Sequence, residues 1–175
     1  MSEHFRQSGW RCIGIEPNPK FAALHREAGN EVYEYAAGDH DADDQDFDVV
    51  EAGGTYSPWS FTAHSYSSLA VKPEYRDFNN GAMRHFRQTS IKVRIRTLDH
   101  ILRLHCPNLH VIDLLSVDVE GYELEVMRGF SPHRYEVRAI VLENLFHSAS
   151  YSEYMTSIGY RLHSRVRYNY VYVRE

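Results

Sequence analysis

The feature that most constrains this chain is an apolar run that leads directly into acidic residues, within the stretch Leu114–Gly129. Branched apolar residues fill most of positions 111–117, which is typical of a strand buried on both faces. Three acids then surround Gly121: Asp118, Glu120 and Glu123. Beyond Gly121 the apolar spacing becomes helical. Acidic side chains therefore collect where a buried strand passes into a helix.

Polar residues also close the next apolar strand, since Glu143 and Asn144 stand at its end. Ligands of open α/β sheets bind at the carboxyl ends of strands, so we expect Asp118, Glu143 and Asn144 to converge there. Oxygen ligands grouped in this way could hold Mg²⁺. They could equally orient a substrate hydroxyl, or bind one another and a basic side chain. Acids in a first helical turn also favour the helix dipole, which is enough to explain Glu120 and Glu123.

Helix and strand signals alternate through most of the chain, which indicates one α/β domain over residues 1–175 with a mainly parallel sheet. We predict helices at Ser2–Ser8, Phe21–Ala28, Leu98–His105 and Tyr151–Ile158, besides the one after Gly121. The other predicted strands are Trp10–Ile15, Val32–Ala36, Phe47–Ala52, Ile91–Arg96 and Ala139–Glu143, with an antiparallel hairpin of Tyr160–Val166 and Tyr170–Val173 around Asn169.

Two stretches lack a regular pattern. Residues 38–48 are polar and acidic, and we predict a turn there. Residues 53 to about 90 are rich in aromatics without a sustained period, which is typical of a functional or flexible loop. Ser67, Ser68 and the loop aromatics could line a substrate pocket, or the aromatics could simply pack on the sheet edge.

Composition and charge disfavour some classes of binding partner. The net charge is −5 and the sequence has no basic run, which disfavours nucleic acid. No apolar stretch is long enough to span a bilayer and no secretory signal is present, so we expect no membrane partner. Cys12 and Cys106 have no metal-ligand spacing, which favours reduced thiols in a cytoplasmic protein.

Glu16 is a second candidate site residue. It ends the strand at Trp10–Ile15 and stands directly before Pro17. In nucleotide-binding α/β folds, an acid at the end of the second strand accepts hydrogen bonds from ribose hydroxyls. A solvated acid at a strand end would produce the same pattern, so spacing alone leaves both interpretations open.

Taken together, these residues resemble the FkbM family of S-adenosylmethionine-dependent methyltransferases, over residues 2 to about 160. The most specific match is the run from Ile112 to Leu124, with its Asp-Val-Glu-Gly-Tyr-Glu core, followed by Gly129. The segment ending Glu16-Pro17-Asn18-Pro19 is similar to the family's second strand and ribose-binding acid. Smaller matches are Ala36-Ala37-Gly38-Asp39, similar to the adenine-side turn, Ser67-Ser68-Leu69 and Thr97-Leu98-Asp99.

The resemblance implies a Rossmann-like class I methyltransferase sheet, mostly parallel, with a C-terminal antiparallel hairpin. It implies S-adenosylmethionine contacts at Glu16, Pro17, Ala37 and Asp39. The acceptor, a hydroxyl on a small molecule or sugar, would face Asp118, Glu120, Glu143 and Asn144.

Two departures from the family pattern qualify this expectation. Ser116 stands where the family usually has Lys. The family's first strand and glycine loop should precede Ser2, and the sequence does not contain them, so we expect an N-terminally incomplete domain whose central first strand is missing. A gap should then separate the Glu16 and Asp118 strands, and the chain by itself should bind S-adenosylmethionine poorly.

Two hypotheses about function follow. The first is an O-methyltransferase in which the protein mainly positions the acceptor, while a base or a metal lowers the pKa of its hydroxyl. The second is a non-catalytic methyltransferase-like domain that acts through a partner. The acids at Glu16, Asp118 and Glu120 favour the first hypothesis, and the missing glycine loop favours the second.

Overall fold

The computed structural model of the chain describes residues 2–52 and 86–175. Its helices are α1 Ser2–Gln7, α2 Pro19–Glu27, α3 Leu98–His105, α4 Glu123–Arg128 and α5 Ala149–Ser157, with a 3₁₀ turn at Pro132–Arg134. Its strands are β1 Ile13–Ile15, β2 Glu31–Tyr33, β3 Ala36–Gly38, β4 Ala42–Ala52, β5 Phe86–Thr97, β6 Val111–Val117, β7 Glu136–Glu143, β8 Tyr160–Val166 and β9 Asn169–Arg174. The predicted roles of Ser67 and Ser68 lie outside the described residues.

The strands form three sheets. β1 pairs with β2 in parallel, and β3 pairs in parallel with β5, which also pairs antiparallel with β4. The third sheet has the order β6-β7-β9-β8, in which β6 and β7 are parallel and the other two ladders are antiparallel. The predicted α/β class and terminal hairpin are confirmed, but the predicted single, mainly parallel sheet is only partly right.

Two strand predictions were wrong in detail. The predicted strand at Val32–Ala36 is two strands, because β2 pairs in the first sheet and β3 in the second. The predicted turn at residues 38–48 is mostly part of β4, which buries Phe47 and Val49. Asp46 lies on the opposite, solvated face of β4 and forms an ion pair with Lys92 across the ladder at 2.9 Å. An acidic stretch can form this strand because its acids lie on the solvated face while its apolar residues lie on the buried face.

β6 also differs from the prediction of a strand buried on both faces. It lies at the edge of its sheet, and Val111 remains 38% exposed. Only the final residue, Val117, is fully buried. Among the described residues, no backbone pairing joins β6 to β1, and a cavity of about 640 Å³ is lined by residues of both strands. This agrees with the expected gap between the Glu16 and Asp118 strands.

The main core lies between the third sheet and helices α3, α4 and α5. Its fully buried members include Ile140, Leu142, Val126, Met127 and Met155. A smaller core joins the strands of the second sheet. No helix among the described residues is long and apolar enough to cross a membrane.

The end of α4 contacts the end of β3 directly through backbone. A Cβ atom added to Gly129 would overlap the carbonyl oxygen of Gly38 and lie 3.2 Å from Thr97 Cβ. The Gly129 carbonyl also accepts a hydrogen bond from Asp99 N at 3.2 Å, and Asp99 Oδ1 accepts one from Ser131 N at 2.9 Å. Gly129 follows the last residue of α4, and its missing side chain lets the end of this helix approach the second sheet closely.

We expect Gly129→Ala to destabilise the domain by about 1–3 kcal/mol or more, because backbone must move to admit the methyl group. Urea unfolding followed by circular dichroism measures the change in free energy. Gly159→Ala is the comparison: its added Cβ meets no atom within 4 Å, and only its positive φ of 85° is strained. A smaller loss for Gly129→Ala than for Gly159→Ala would contradict the close-approach argument.

Candidate active site

The acidic loop after β6 is held by a buried carboxylate. Glu123 begins α4 and is fully buried. Its Oε1 accepts hydrogen bonds from Val119 N at 3.0 Å and Gly121 N at 3.1 Å, and its Oε2 accepts one from Tyr151 OH at 2.7 Å. Glu123 thus fixes the shape of residues 118–122, in which Glu120 has a positive φ of 55°.

The predicted meeting of Asp118 and Glu143 is confirmed. One carboxylate oxygen from each of Asp118, Glu123 and Glu143 lies within 4.8 Å of the others. The register explains this, because Val117 pairs with Leu142 and the two acids are the next residues along parallel strands. Adjacent strand ends therefore bring Asp118 and Glu143 together, as the sequence pattern predicts, whereas Glu123 reaches them from the start of α4.

Crowding makes these acids hold protons more tightly than usual. Burial, together with the charges of Glu143, Asp118 and Glu123, raises the pKa of Glu120 to about 9. Burial and the nearby charges of Asp118 and Glu123 raise the pKa of Glu143 to about 7. Desolvation also raises the pKa of Asp118, whose exposed side chain lies within the concave cavity rather than on an open surface. The cluster is thus partly protonated at neutral pH.

Glu16 lies on the other wall of the cavity, directly after β1. Its Oε1 accepts a hydrogen bond from Asn18 N at 2.8 Å, and burial raises the pKa of its carboxyl group. Asn18 in turn caps α2 by accepting a hydrogen bond from Lys20 N at 3.0 Å. The Glu16 carboxylate is thus oriented through Oε1, and no hydrogen bond to Oε2 is found within residues 2–52 and 86–175, so this oxygen can accept one from a ligand.

The cavity brings most of the predicted site residues together. Its lining includes five of them: Glu16, Pro17, Ala37, Asp118 and Glu120. Ser116, at the position where the resemblance leads us to expect Lys, lines it too. Apolar side chains supply much of the remaining wall, among them Ile13, Ile15, Phe21, Leu114 and Val126. A cavity with a few polar groups on apolar walls is the usual form of a small-molecule site.

Three predicted residues lie elsewhere. Asp39 lines a second cavity of about 330 Å³, and a hydrogen bond between its Oδ1 and His40 Nδ1 at 2.6 Å lowers the pKa of Asp39. Glu143 adjoins the main cavity through Asp118 and does not line it. Asn144 is buried, and its side chain exchanges hydrogen bonds with Ser148 O at 2.9 Å and Ser148 N at 2.8 Å. These bonds hold the turn after β7, and the predicted catalytic role of Asn144 stays a prediction.

Sequence reasoning missed two tyrosines. Tyr122 lines both cavities, the main one together with Ala37 and the second one together with Asp39. Its position inside the acidic motif was the available signal. Tyr151 supports the acidic loop through Glu123, but it lies 28 residues downstream and nothing local in the sequence marks that contact.

A family model described as the methyltransferase FkbM domain matches residues 1–166, which is nearly the whole chain. The chain belongs to the FkbM methyltransferase domain family. The acidic loop and the cavity described above lie within this FkbM domain.

Individual relatives add a narrower similarity. The FkbM domain is 42% identical over 60 residues to a methyltransferase named sdnD from Sordaria araneosa. That match covers 30% of this chain and 23% of the relative, so it spans less than a quarter of the relative's length. No solved structure matches the chain significantly.

The raised pKa values predict how stability depends on pH. Glu120 and Glu143 both bind a proton more tightly in the folded state than in the unfolded chain, where the pKa of a glutamate is about 4.3. The unfolded state therefore loses its protons first, and the free energy of unfolding falls as pH rises from about 5 towards 9. Glu143→Gln, which stays neutral, should lessen this fall.

Urea denaturation at pH 5, 7 and 9 measures this dependence. Glu153→Gln is the control, because Glu153 is an exposed residue of α5. Equal pH dependence in wild type and Glu143→Gln would show that Glu143 does not carry the raised pKa.

Proposed function

We propose that this domain carries out S-adenosylmethionine-dependent methyl transfer to a hydroxyl group of a small molecule or sugar, within a Rossmann-like class I methyltransferase architecture. The observation that carries the proposal is the cavity between β1 and β6. It brings Glu16 and Ala37 opposite Asp118 and Glu120. Membership of a methyltransferase family supports methyl transfer in general, while the cofactor and the hydroxyl acceptor are our inferences.

The β1 side of the cavity suits the cofactor. Glu16 Oε2 would accept hydrogen bonds from ribose hydroxyls, while Oε1 keeps its bond to Asn18 N. Pro17 and Ala37 offer small, apolar surface next to it. When bound, S-adenosylmethionine supplies a methyl group on a positively charged sulfur. A cavity of about 640 Å³ is of the size that ligand sites commonly have.

The β6 side suits the acceptor. An acceptor hydroxyl is a weak nucleophile, so a carboxylate that accepts its proton helps the reaction. Glu143 fits this role because burial and the neighbouring acids raise its pKa to about 7, which lies near the working pH. Asp118 would orient the same hydroxyl, since one of its oxygens lies within 4.8 Å of one from Glu143.

A divalent cation is the second way to use these acids. Glu143 Oε2 is buried and has no hydrogen-bond partner among the described residues, as an oxygen ligand of Mg²⁺ would be. Glu123, however, already accepts three hydrogen bonds, which leaves it less able to serve as the third ligand. We therefore favour hydroxyl orientation over a metal. The comparisons also do not favour the alternative of a non-catalytic domain that acts through a partner.

In a form of the domain that binds S-adenosylmethionine, we expect Glu16→Ala to weaken this binding roughly ten- to a hundredfold, because charge-assisted hydrogen bonds to the ribose are lost. Isothermal titration calorimetry measures the affinity. Glu27→Ala, an exposed acid at the end of α2, is the control and should bind like wild type. Unchanged affinity in Glu16→Ala would remove Glu16 from the cofactor site.

We expect methyl transfer to be insensitive to EDTA and to added Mg²⁺ if the acids act on the acceptor directly. Glu143→Gln should then lower the rate about a hundredfold or more, the usual contribution of a general base. The measurement is turnover with a labelled methyl group. Loss of activity on chelation, restored by Mg²⁺, would instead support the metal.

A further inference from the structure

The C-terminal hairpin carries positive charge. From Tyr154 to Arg174 the sequence contains four arginines and no acid. Within the described part of the chain, none of these four arginines forms an ion pair. Six arginines elsewhere in the chain each do so: Arg11, Arg26, Arg96, Arg128, Arg134 and Arg138. The hairpin therefore presents positive charge that the described residues do not neutralise.

Exposed apolar side chains gather at the turn of the same hairpin. Phe146 is 44% exposed, Val166 61% and Tyr168 42%. The turn after β7 adjoins the β8–β9 turn, because Asn144 N donates a hydrogen bond to Tyr168 O at 2.7 Å. His147 packs its ring 5.6 Å from that of Tyr168. We call this surface the hairpin patch, and it comprises Phe146, His147, Arg165, Val166, Arg167 and Tyr168.

The hairpin patch lies next to the acidic site. β7 ends at Glu143, which pairs with Asn169 of β9, and the turn that carries Phe146 and His147 follows directly. Arg165 stacks over the ring of Tyr170 at 4.7 Å, and the hydroxyl of Tyr170 contacts His147 Nδ1 at 2.9 Å. Positive and aromatic groups are thus held just beyond the strand whose last residue is Glu143.

We propose that the hairpin patch binds the methyl acceptor, and that the acceptor is a ring compound that carries an anionic carboxylate or phosphate group besides its hydroxyl. This inference rests on the proposed function. The aromatic side chains offer flat surface for a ring. Arg165 and Arg167 attract the anionic group, since guanidinium binds both carboxylate and phosphate.

The charges on the two sides would also orient the acceptor. Asp118 and Glu143 repel an anionic group, whereas a neutral hydroxyl can approach them and donate a hydrogen bond. The arginines draw the anionic group away from the acids. One end of the acceptor is therefore directed to the hairpin patch and its hydroxyl to the cavity. A net charge of −5 makes a nucleic-acid strand or an anionic membrane a poorer occupant.

Three probes that share one ring test the inference: 4-nitrophenyl β-glucoside, its glucuronide and its 6-phosphate. Ligand-observed NMR titration measures their affinities at low salt. We expect wild type to prefer both anionic probes about three- to tenfold over the neutral one, as exposed charge pairs allow. A preference for only one of them identifies the anionic group as carboxylate or phosphate. The preference should shrink in 0.5 M NaCl, where a Debye length of a few ångströms screens the charges.

Variants connect the preference to the hairpin patch. The double variant Arg165→Gln/Arg167→Gln should lose the preference for the anionic probes, and Arg165→Lys/Arg167→Lys should keep this preference. Arg161→Gln is the matched control, because Arg161 is exposed on the same strand but pairs near the opposite end of the hairpin, with Val173. Equal binding of all three probes, or a preference that survives the double glutamine variant, would overturn the inference.

S-adenosylmethionine binding is measured on the same variants and separates this inference from the proposed function. The double glutamine variant should bind the cofactor as wild type does, because neither arginine lines the cavity. If neither the wild-type chain nor a form extended upstream with the family's first strand and glycine loop binds the cofactor, the proposed function fails whatever the probes show. If the cofactor binds and the probes show no preference, the acceptor inference alone fails.

Discussion

The site depends on one buried carboxylate, that of Glu123. Burying a carboxylate is costly unless it is hydrogen-bonded, and this one accepts bonds from two backbone N–H groups and one tyrosine hydroxyl. Those bonds fix the loop that carries Asp118 and Glu120, including the strained backbone of Glu120. Glu123 thus supports the loop residues Asp118 and Glu120. Its contact with Tyr151 also connects the loop to α5.

Local sequence rules predicted the parts of the structure that depend on neighbouring residues. Strand ends placed Asp118 beside Glu143, and Thr97, a residue type that commonly caps helices, caps α3 by accepting a hydrogen bond from His100 N at 3.1 Å. The failures concern pairing at long range. β4 depends on a partner strand whose paired residues lie 34 to 53 positions downstream. The hairpin turn uses Arg167 at a positive φ of 57° instead of Asn169, a choice that residue preferences do not favour.

The cavity is a junction of all three sheets. β1 supplies one wall and β6 another, while Ala36 and Ala37 of β3 and Phe47 of β4 bring in the second sheet. A site assembled in this way needs its sheets held at fixed separations, because no hydrogen-bonded ladder joins them in the described part of the chain. Side-chain packing in the main core supplies part of that restraint. Backbone contact between α4 and β3 supplies another part.

That backbone contact has a consequence for how the domain can vary. A contact between side chains can be adjusted by a new rotamer or a different residue, but Gly129 and Gly38 meet without any side chain. At this contact the distance between the helix that anchors the acidic loop and the strand that carries Ala37 is limited by backbone atoms. Residues around the cavity could be exchanged to suit a different acceptor while its two sides kept their spacing. The contact between Gly129 and Gly38 would keep this spacing constant while the side chains that line the cavity change.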